Sequence, residues 1–340
     1  MSTVLVTGGS GFLGLALCQA LRERGHEVRS IQRSHSVALE QMGVAQTLAP
    51  IDDADAVTAA AAGCEVVFHV AAKAGAWGPR AEYERANVEG TRAVLQACRE
   101  HGVSQLIHTS TPSVAHGGGD LAGVDESVPY PEHYAAPYPA TKAVAEREVL
   151  AANGPQLATV ALRPHLIWGP GDNHLLPRMI ERARAGRLAF IGAGDKLIDV
   201  TYIDNAVEAH LRAWAHLWPG SSCAGRAYFI SDGQPIALKA MVNHLLGCAG
   251  VAPVHRHVPL PLARLLAPLV EFAWRSLRLR GEPMLTRFLV EQFSTAHWYD
   301  ISAARRDLGY TAAVTLEQGL ARLTEQLTQS GADTRPTALG

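Results

Sequence analysis

Val4-Leu5-Val6-Thr7-Gly8-Gly9-Ser10-Gly11-Phe12-Leu13-Gly14, close to the start of the chain, decides how the rest is read. Its first three residues form an apolar, β-favouring run of the kind buried on both faces of a sheet. Beyond the first glycines, Phe12, Leu13, Ala16, Leu17, Ala20 and Leu21 recur at helical spacing until Gly25 supplies a stop. Gly8, Gly11 and Gly14 therefore occupy the turn from strand to helix, in GxxGxxG spacing. Glycines there let the backbone come close to a diphosphate, whose charge the helix N-terminus favours. Gly8, Gly9, Ser10, Gly11, Phe12, Leu13 and Gly14 are accordingly expected to cradle a dinucleotide.

Further along, the runs at 28–31, 65–70, 105–110 and 157–162 read as more strands buried on both faces, alternating with helical patterns. The expected fold is α/β: a Rossmann-type doubly wound parallel sheet with a smaller, mostly helical C-terminal substrate lobe. Regular alternation fades after Arg163-Pro164, where Gly169-Pro170-Gly171 and Gly192-Ala193-Gly194 punctuate the chain. Residues 1–165 and 199–231 are assigned to the dinucleotide-binding domain and 166–198 and 232–327 to the lobe. The polar, small-residue tail at 328–340 is expected to be disordered.

With 30 Lys and Arg against 32 acidic residues and a net charge of -2, the 340-residue chain has no basic field for nucleic acid. Its five cysteines are scattered without CxxC spacing, so no metal site or disulfide framework is expected. Met1-Ser2-Thr3 leads straight into the first strand, leaving no room for a signal peptide, and a reducing, cytoplasmic setting is expected.

At the end of the second strand, Gln32 and Arg33 stand where an acid would select the ribose 2′-hydroxyl of NAD. Arginine suits a 2′-phosphate, so NADP(H) is expected over NAD(H). Tyr138 and Lys142 lie four residues apart on a helix that Pro139 is suited to start. A free phenol has a pKa of about 10, and a neighbouring ammonium moves it toward working pH, making Tyr138 a usable acid or base. At the C-terminal end of the strand over 105–110, Thr111 is the hydroxyl expected to polarise a carbonyl, with Ser110 and Ser113 as rivals. His69 reads as a core histidine, and Ala71 and Ala72 after it are small enough to admit a nicotinamide ribose.

In this order, Gly8/Gly11/Gly14, His69-Val70-Ala71-Ala72, Asn87-Val88-Glu89-Gly90-Thr91, Tyr138/Lys142, Arg163-Pro164 and Tyr202-Ile203-Asp204-Asn205 resemble the extended short-chain dehydrogenases. Thr109-Ser110-Thr111 and Leu308-Gly309-Tyr310 resemble that family's 3β-hydroxysteroid dehydrogenase-like branch. Within it, Lys73 to Gly78, Gly169 to Pro177 and His297-Trp298-Tyr299 are similar to the bacterial 2-alkyl-3-oxoalkanoate reductases of long-chain olefin biosynthesis. The resemblance implies that Tyr138 protonates a carbonyl oxygen, Lys142 holds the ribose hydroxyls, Thr111 hydrogen-bonds the same oxygen and Asn87 supports a proton relay behind Lys142. It also implies cofactor contacts from Ile51, in the segment that meets adenine, and Pro164. Two departures are a threonine in place of the usual serine at Thr111, and Pro50-Ile51 in place of Asp-Leu.

For the substrate, a long-chain β-keto acid or a sterol-like apolar molecule, Lys73 could hold a carboxylate, and Trp77, Ser113, His165, Trp168 and Asn173 are lining candidates. Between Leu262 and Leu277, apolar residues recur at helical spacing, interrupted by charges and Pro268, so the stretch cannot span a bilayer. Core packing, an acyl-chain cap, a face for a homodimer partner or neighbouring pathway enzyme, and a peripheral membrane helix all fit that pattern. The rival functions are a 3β-hydroxysteroid or sterol dehydrogenase, a nucleotide-sugar epimerase and a non-catalytic NAD(P)-sensing protein.

Overall fold

The computed structural model describes residues 1–173, 175–277, 279 and 281–333. A parallel sheet of seven strands forms its centre. In chain order these are β1 (Thr3–Thr7), β2 (Glu27–Gln32), β3 (Ala45–Leu48), β4 (Val66–His69), β5 (Gln105–Thr109), β6 (Ala158–Pro164) and β7 (Arg226–Ile230). Their spatial order is β7-β6-β5-β4-β1-β2-β3, so the winding direction reverses beside β1. That reversal opens a crevice at the carboxyl ends of β1 and β4, where a ligand can enter.

Alternation along the strands feeds two cores. Val4 and Val6 pack with Leu13, Leu17 and Leu21 of α1 (Phe12–Glu23), whereas Leu5 between them joins Ile31, Val57, Val67, Val94 and Leu106 on the other face. The second layer includes α2 (Gly90–His101), which ends at Gly102 in the left-handed conformation, φ 64°. All five strands expected from the sequence occur. Two more complete the sheet: β3, a four-residue edge strand with no buried residue, and β7, contributed from beyond the lobe crossing.

Three helices matter for the site and its surroundings: α3 (Pro137–Ala151), α4 (Ile203–His216) and α5 (Leu260–Ser276). A small four-stranded sheet pairs His297–Tyr299 with both Leu197–Ile198 and Leu121–Val124. The tail expected to be disordered from Thr328 begins as helix instead, because α6 (Leu316–Asp333) runs through it. Leu320, Leu323 and Leu327 pack this helix on the core. Once nucleated, it extends at little cost, with the Thr328 hydroxyl donating to Thr324 O at 2.8 Å. Residues 334–340 of that tail lie outside the described residues. Among the described residues, no helix is long and apolar enough to cross a membrane.

Candidate active site

Three glycines of the opening turn, Gly8, Gly9 and Gly14, are required by what they touch. Gly8 has φ 71°, and a Cβ there would lie 2.9 Å from Ala71 Cα, while one on Gly14 would lie 2.2 Å from Gly8 O. The turn and the start of α1 thus pack backbone on backbone, and Gly9 sits equally close to Ser30. Gly11 caps α1 without a side-chain hydrogen bond, leaving the first-turn N–H groups open to an anion. These features fit a dinucleotide diphosphate.

The neighbouring contacts suit the rest of that molecule. Gln32 is turned inward, its amide nitrogen donating to Gln46 Oε1 at 2.8 Å, while Arg33 is exposed and forms no ion pair among the described residues. Ile51 packs on Gly90, where a Cβ would lie 2.7 Å from its Cγ2. Pro164 is buried at the end of β6.

Tyr138 stands in the first turn of α3 and Lys142 one turn on. Burial pushes the Tyr138 phenol above its ordinary range, and a hydrogen bond with Thr111 works in the opposite sense. Thr111 begins the short helix Pro112–Ala115 and accepts the Ser113 N–H at 3.3 Å. Among the rival hydroxyls, Ser110 Oγ is buried with no partner among the described residues, and Ser113 has no bond to Tyr138. Lys142 is only 2% exposed, and its Nζ donates to Thr109 O at 2.7 Å and to His108 Nε2 at 3.1 Å. Burial pulls its amine down to about 7, with Glu146 opposing. In this state the amine is anchored beneath the site rather than bonded to the phenol.

A buried polar layer supports these groups. The Thr91 hydroxyl donates to Asn87 O at 2.7 Å and so accepts from His69 Nε2–H at 2.9 Å. His69 Nδ1 then accepts from the Thr7 hydroxyl at 2.9 Å, and the Thr7 oxygen receives the N–H groups of Val70 and Ala71 at 3.1 and 3.0 Å. This chain fixes the backbone before Ala72 and makes His69 the satisfied core histidine expected from sequence. Asn87, in the π-helical turn Glu84–Glu89, clamps the Lys73 backbone, accepting its N–H at 2.7 Å and donating to its carbonyl at 3.0 Å. Its amide also donates to Thr141 Oγ1 at 3.0 Å. Asn87 thus bonds Thr141, the residue before Lys142 on α3.

A model of the 3-beta hydroxysteroid dehydrogenase/isomerase family matches residues 5–262. The chain belongs to this family. It is 53% identical over 323 residues to a 2-alkyl-3-oxoalkanoate reductase of Stenotrophomonas maltophilia (strain K279a), covering 94% of this chain and 98% of the relative. It is 43% identical to a protein of the same name from Shewanella oneidensis, covering 96% of this chain and 87% of the relative. Among solved structures, MoeE5 in complex with UDP-glucose and NAD superposes with a TM-score of 0.73 at 25% identity, covering 96% of this chain and 99% of that one. This 3β-hydroxysteroid dehydrogenase-family chain is an NAD(P)-dependent oxidoreductase of the extended short-chain type.

On the substrate side, the structure redraws several expectations for this dehydrogenase-family chain. The Lys73 ammonium is ion-paired with Glu82 and lies 5.2 Å over the Tyr83 ring, so its charge is already committed. Trp168 is no pocket residue: it is 1% exposed, packed edge-on against Tyr202 and covered by Gly319 of α6. Asn173 is exposed. Trp77 holds Tyr83 through its carbonyl and carries the Arg275 guanidinium 5.1 Å over its ring, joining the loop after β4 to α5.

His165 Nδ1 donates to Asp199 O at 2.6 Å, and its ring stacks on His297, 5.7 Å away. His297 in turn lies 4.6 Å from His116, forming a row of imidazoles where β6 and the loop after β5 meet the lobe. Burial pulls His165 down to about 4 and His297 to about 2, so the row is uncharged at neutral pH. Sequence reading missed His116 and made His297 only part of a resemblance. It also missed Glu146, which pins α3 to Arg163 of β6. The signal available was a glutamate one turn beyond Lys142 on the same helix face.

Proposed function

We propose that this oxidoreductase reduces the 3-keto group of long-chain 2-alkyl-3-oxoalkanoic acids to the 3-hydroxyl, using NADPH. The observation that carries the reading is the 53% identity, over 94% of the chain, to a reductase named for that substrate. When bound, the nicotinamide cofactor supplies a hydride. Gly8 to Gly14 and the start of α1 hold its diphosphate, Arg33 the 2′-phosphate, Ile51 the adenine side, and Ala71, Ala72 and Pro164 the nicotinamide side. Lys142 would hold the ribose hydroxyls.

Tyr138 acts as the acid. A phenol raised by burial keeps its proton at neutral pH and can give it to a carbonyl oxygen as that oxygen gains charge. Thr111 donates a hydrogen bond to the same oxygen and afterwards steadies the phenolate. With Lys73 committed to Glu82, selectivity in this reading rests chiefly on the alkyl chains.

The test is NADPH oxidation with 2-alkyl-3-oxo acids of graded chain length beside 3-oxosteroids. Each methylene that finds a buried place should raise kcat/KM up to about four-fold, from about 0.8 kcal/mol per CH₂. Turnover of steroids alone would transfer the chain to the family's other substrate class. For the cofactor, Arg33→Ala is expected to lower the ratio of kcat/KM with NADPH to that with NADH by roughly 10- to 100-fold, the worth of one or two hydrogen bonds to a charged group. An unchanged ratio would remove the NADP assignment.

A further inference from the structure

At the end of β2, side chains on one face of the sheet join in a single hydrogen-bonded line. Ser30 and Gln32 share that face, being two residues apart, and Gln46 of β3 stands opposite Ser30 in the parallel pairing. The Gly9 N–H donates to Ser30 Oγ at 3.2 Å, the Ser30 hydroxyl donates to Gln32 Oε1 at 2.5 Å, and Gln32 Nε2 donates to Gln46 Oε1 at 2.8 Å. Gln46 then closes on the backbone of Ser36: its Oε1 accepts the Ser36 N–H and its Nε2 donates to Ser36 O, both at 2.9 Å. The line runs unbroken from the glycine turn to the far end of the loop that follows β2.

Its direction is forced. It begins at a backbone N–H and ends at a backbone carbonyl, so every side chain between must accept on one side and donate on the other. A hydroxyl and two carboxamides do this, whereas a carboxylate at 32 or 46 has no proton to donate onward. Gln32, 6% exposed, therefore has both ends of its amide engaged inside the protein. The loop enclosed by the line carries the outward charge. Arg33, Ser34 and His35 are exposed, His35 lies 3.5 Å from Glu40, and Arg33 has no ion pair among the described residues. With Gln32 held at one end and Ser36 at the other, the backbone bearing Arg33 is fixed in advance, and preorganisation of that kind strengthens whatever contact the guanidinium makes.

We propose that Gln46 is a specificity-determining positioning residue: by tying Ser36 to Gln32 it sets the loop so that Arg33 meets the cofactor's 2′-phosphate. The inference rests on the reading of Arg33 given above and adds a residue that acts through it. The test is calorimetric titration of the full chain with NADPH and with NADH, no ketone present, for wild type, Gln46→Met, Arg33→Ala and the double variant. Methionine keeps the length of glutamine and removes its side-chain hydrogen bonds. Gln46→Met is expected to raise the NADPH dissociation constant by roughly 3- to 10-fold, the range of an ordinary hydrogen bond, and to leave that of NADH unchanged. In the Arg33→Ala background the same substitution should add nothing, because two residues that serve one contact do not contribute additively. In the cofactor-free protein, the amides of residues 33–36 should exchange with deuterium faster in Gln46→Met than in wild type, while those of β1 and α1 are unaltered.

Equal losses for NADPH and NADH would make Gln46 a general structural residue and overturn the proposal. So would an NADPH affinity or a loop exchange rate that Gln46→Met leaves untouched, or a loss of the same size with and without Arg33. An Arg33→Ala protein that keeps the wild-type ratio of NADPH to NADH affinity is a separate result: it removes the NADP assignment itself, and this inference with it.

Discussion

Tyr138→Phe is expected to bind NADPH as the wild type does and to reduce substrate about 10² to 10⁴ times more slowly, the usual worth of a positioned general acid. The substitution removes one oxygen and keeps the ring, so the packing of α3 is undisturbed. What goes is the proton donor. Because protonation of the oxygen is needed in the transition state and not for cofactor binding, kcat should carry the loss while the NADPH dissociation constant stays constant. Thr111→Ala should lose less, roughly 10- to 100-fold, because the acid remains and only its oriented partner is gone. A phenylalanine variant with wild-type kcat would remove Tyr138 from the chemistry.

The second large effect is on stability. Glu146 is fully buried and Arg163 is 4% exposed. Arg163 Nε donates to both carboxylate oxygens, at 3.2 and 3.0 Å, and Nη2 donates to Oε1 at 2.6 Å. The Tyr130 hydroxyl also donates to Oε1, at 2.5 Å, and the guanidinium lies over the Tyr130 and Phe229 rings. Glu146→Ala would strand that cation in the interior, a change that costs about 3–5 kcal/mol. The expected fall in Tm is roughly 5–15 °C.

Glu146→Gln keeps the shape and an acceptor for Tyr130 and should cost less. Glu146→Gln with Arg163→Met should recover part of the loss, because no unpaired charge remains. A Glu146→Ala protein melting within a degree or two of wild type would show that this pair does not anchor α3. The same substitution also removes the negative charge that opposes the downward pull on Lys142, so the catalytic helix loses both its anchor and its electrostatic support.

What the sequence made legible was local. The glycine turn, the apolar strand runs and the Tyr138–Lys142 spacing are carried by residues a few positions apart, and backbone geometry turns such spacing directly into placement. What it hid was long-range. Lys73 looks like a free cation until the loop after β4 folds Glu82 back onto it. Trp168 looks like a lining residue until Gly319 of the final helix closes over it. In α5 the period announces an apolar stripe but cannot say which side the rest of the chain will cover. Edge strand β3 was silent because a half-solvated, four-residue strand needs no apolar run.

Beneath the reaction centre, His69, His108 and His210 are packed as neutral rings: burial draws His69 to about 3 and His210 to about 4, and His108 is drawn well below its usual range. Three side chains that ordinarily register mild acidity are thus silenced into uncharged struts. Among them lies Lys142, whose amine burial draws down to about 7.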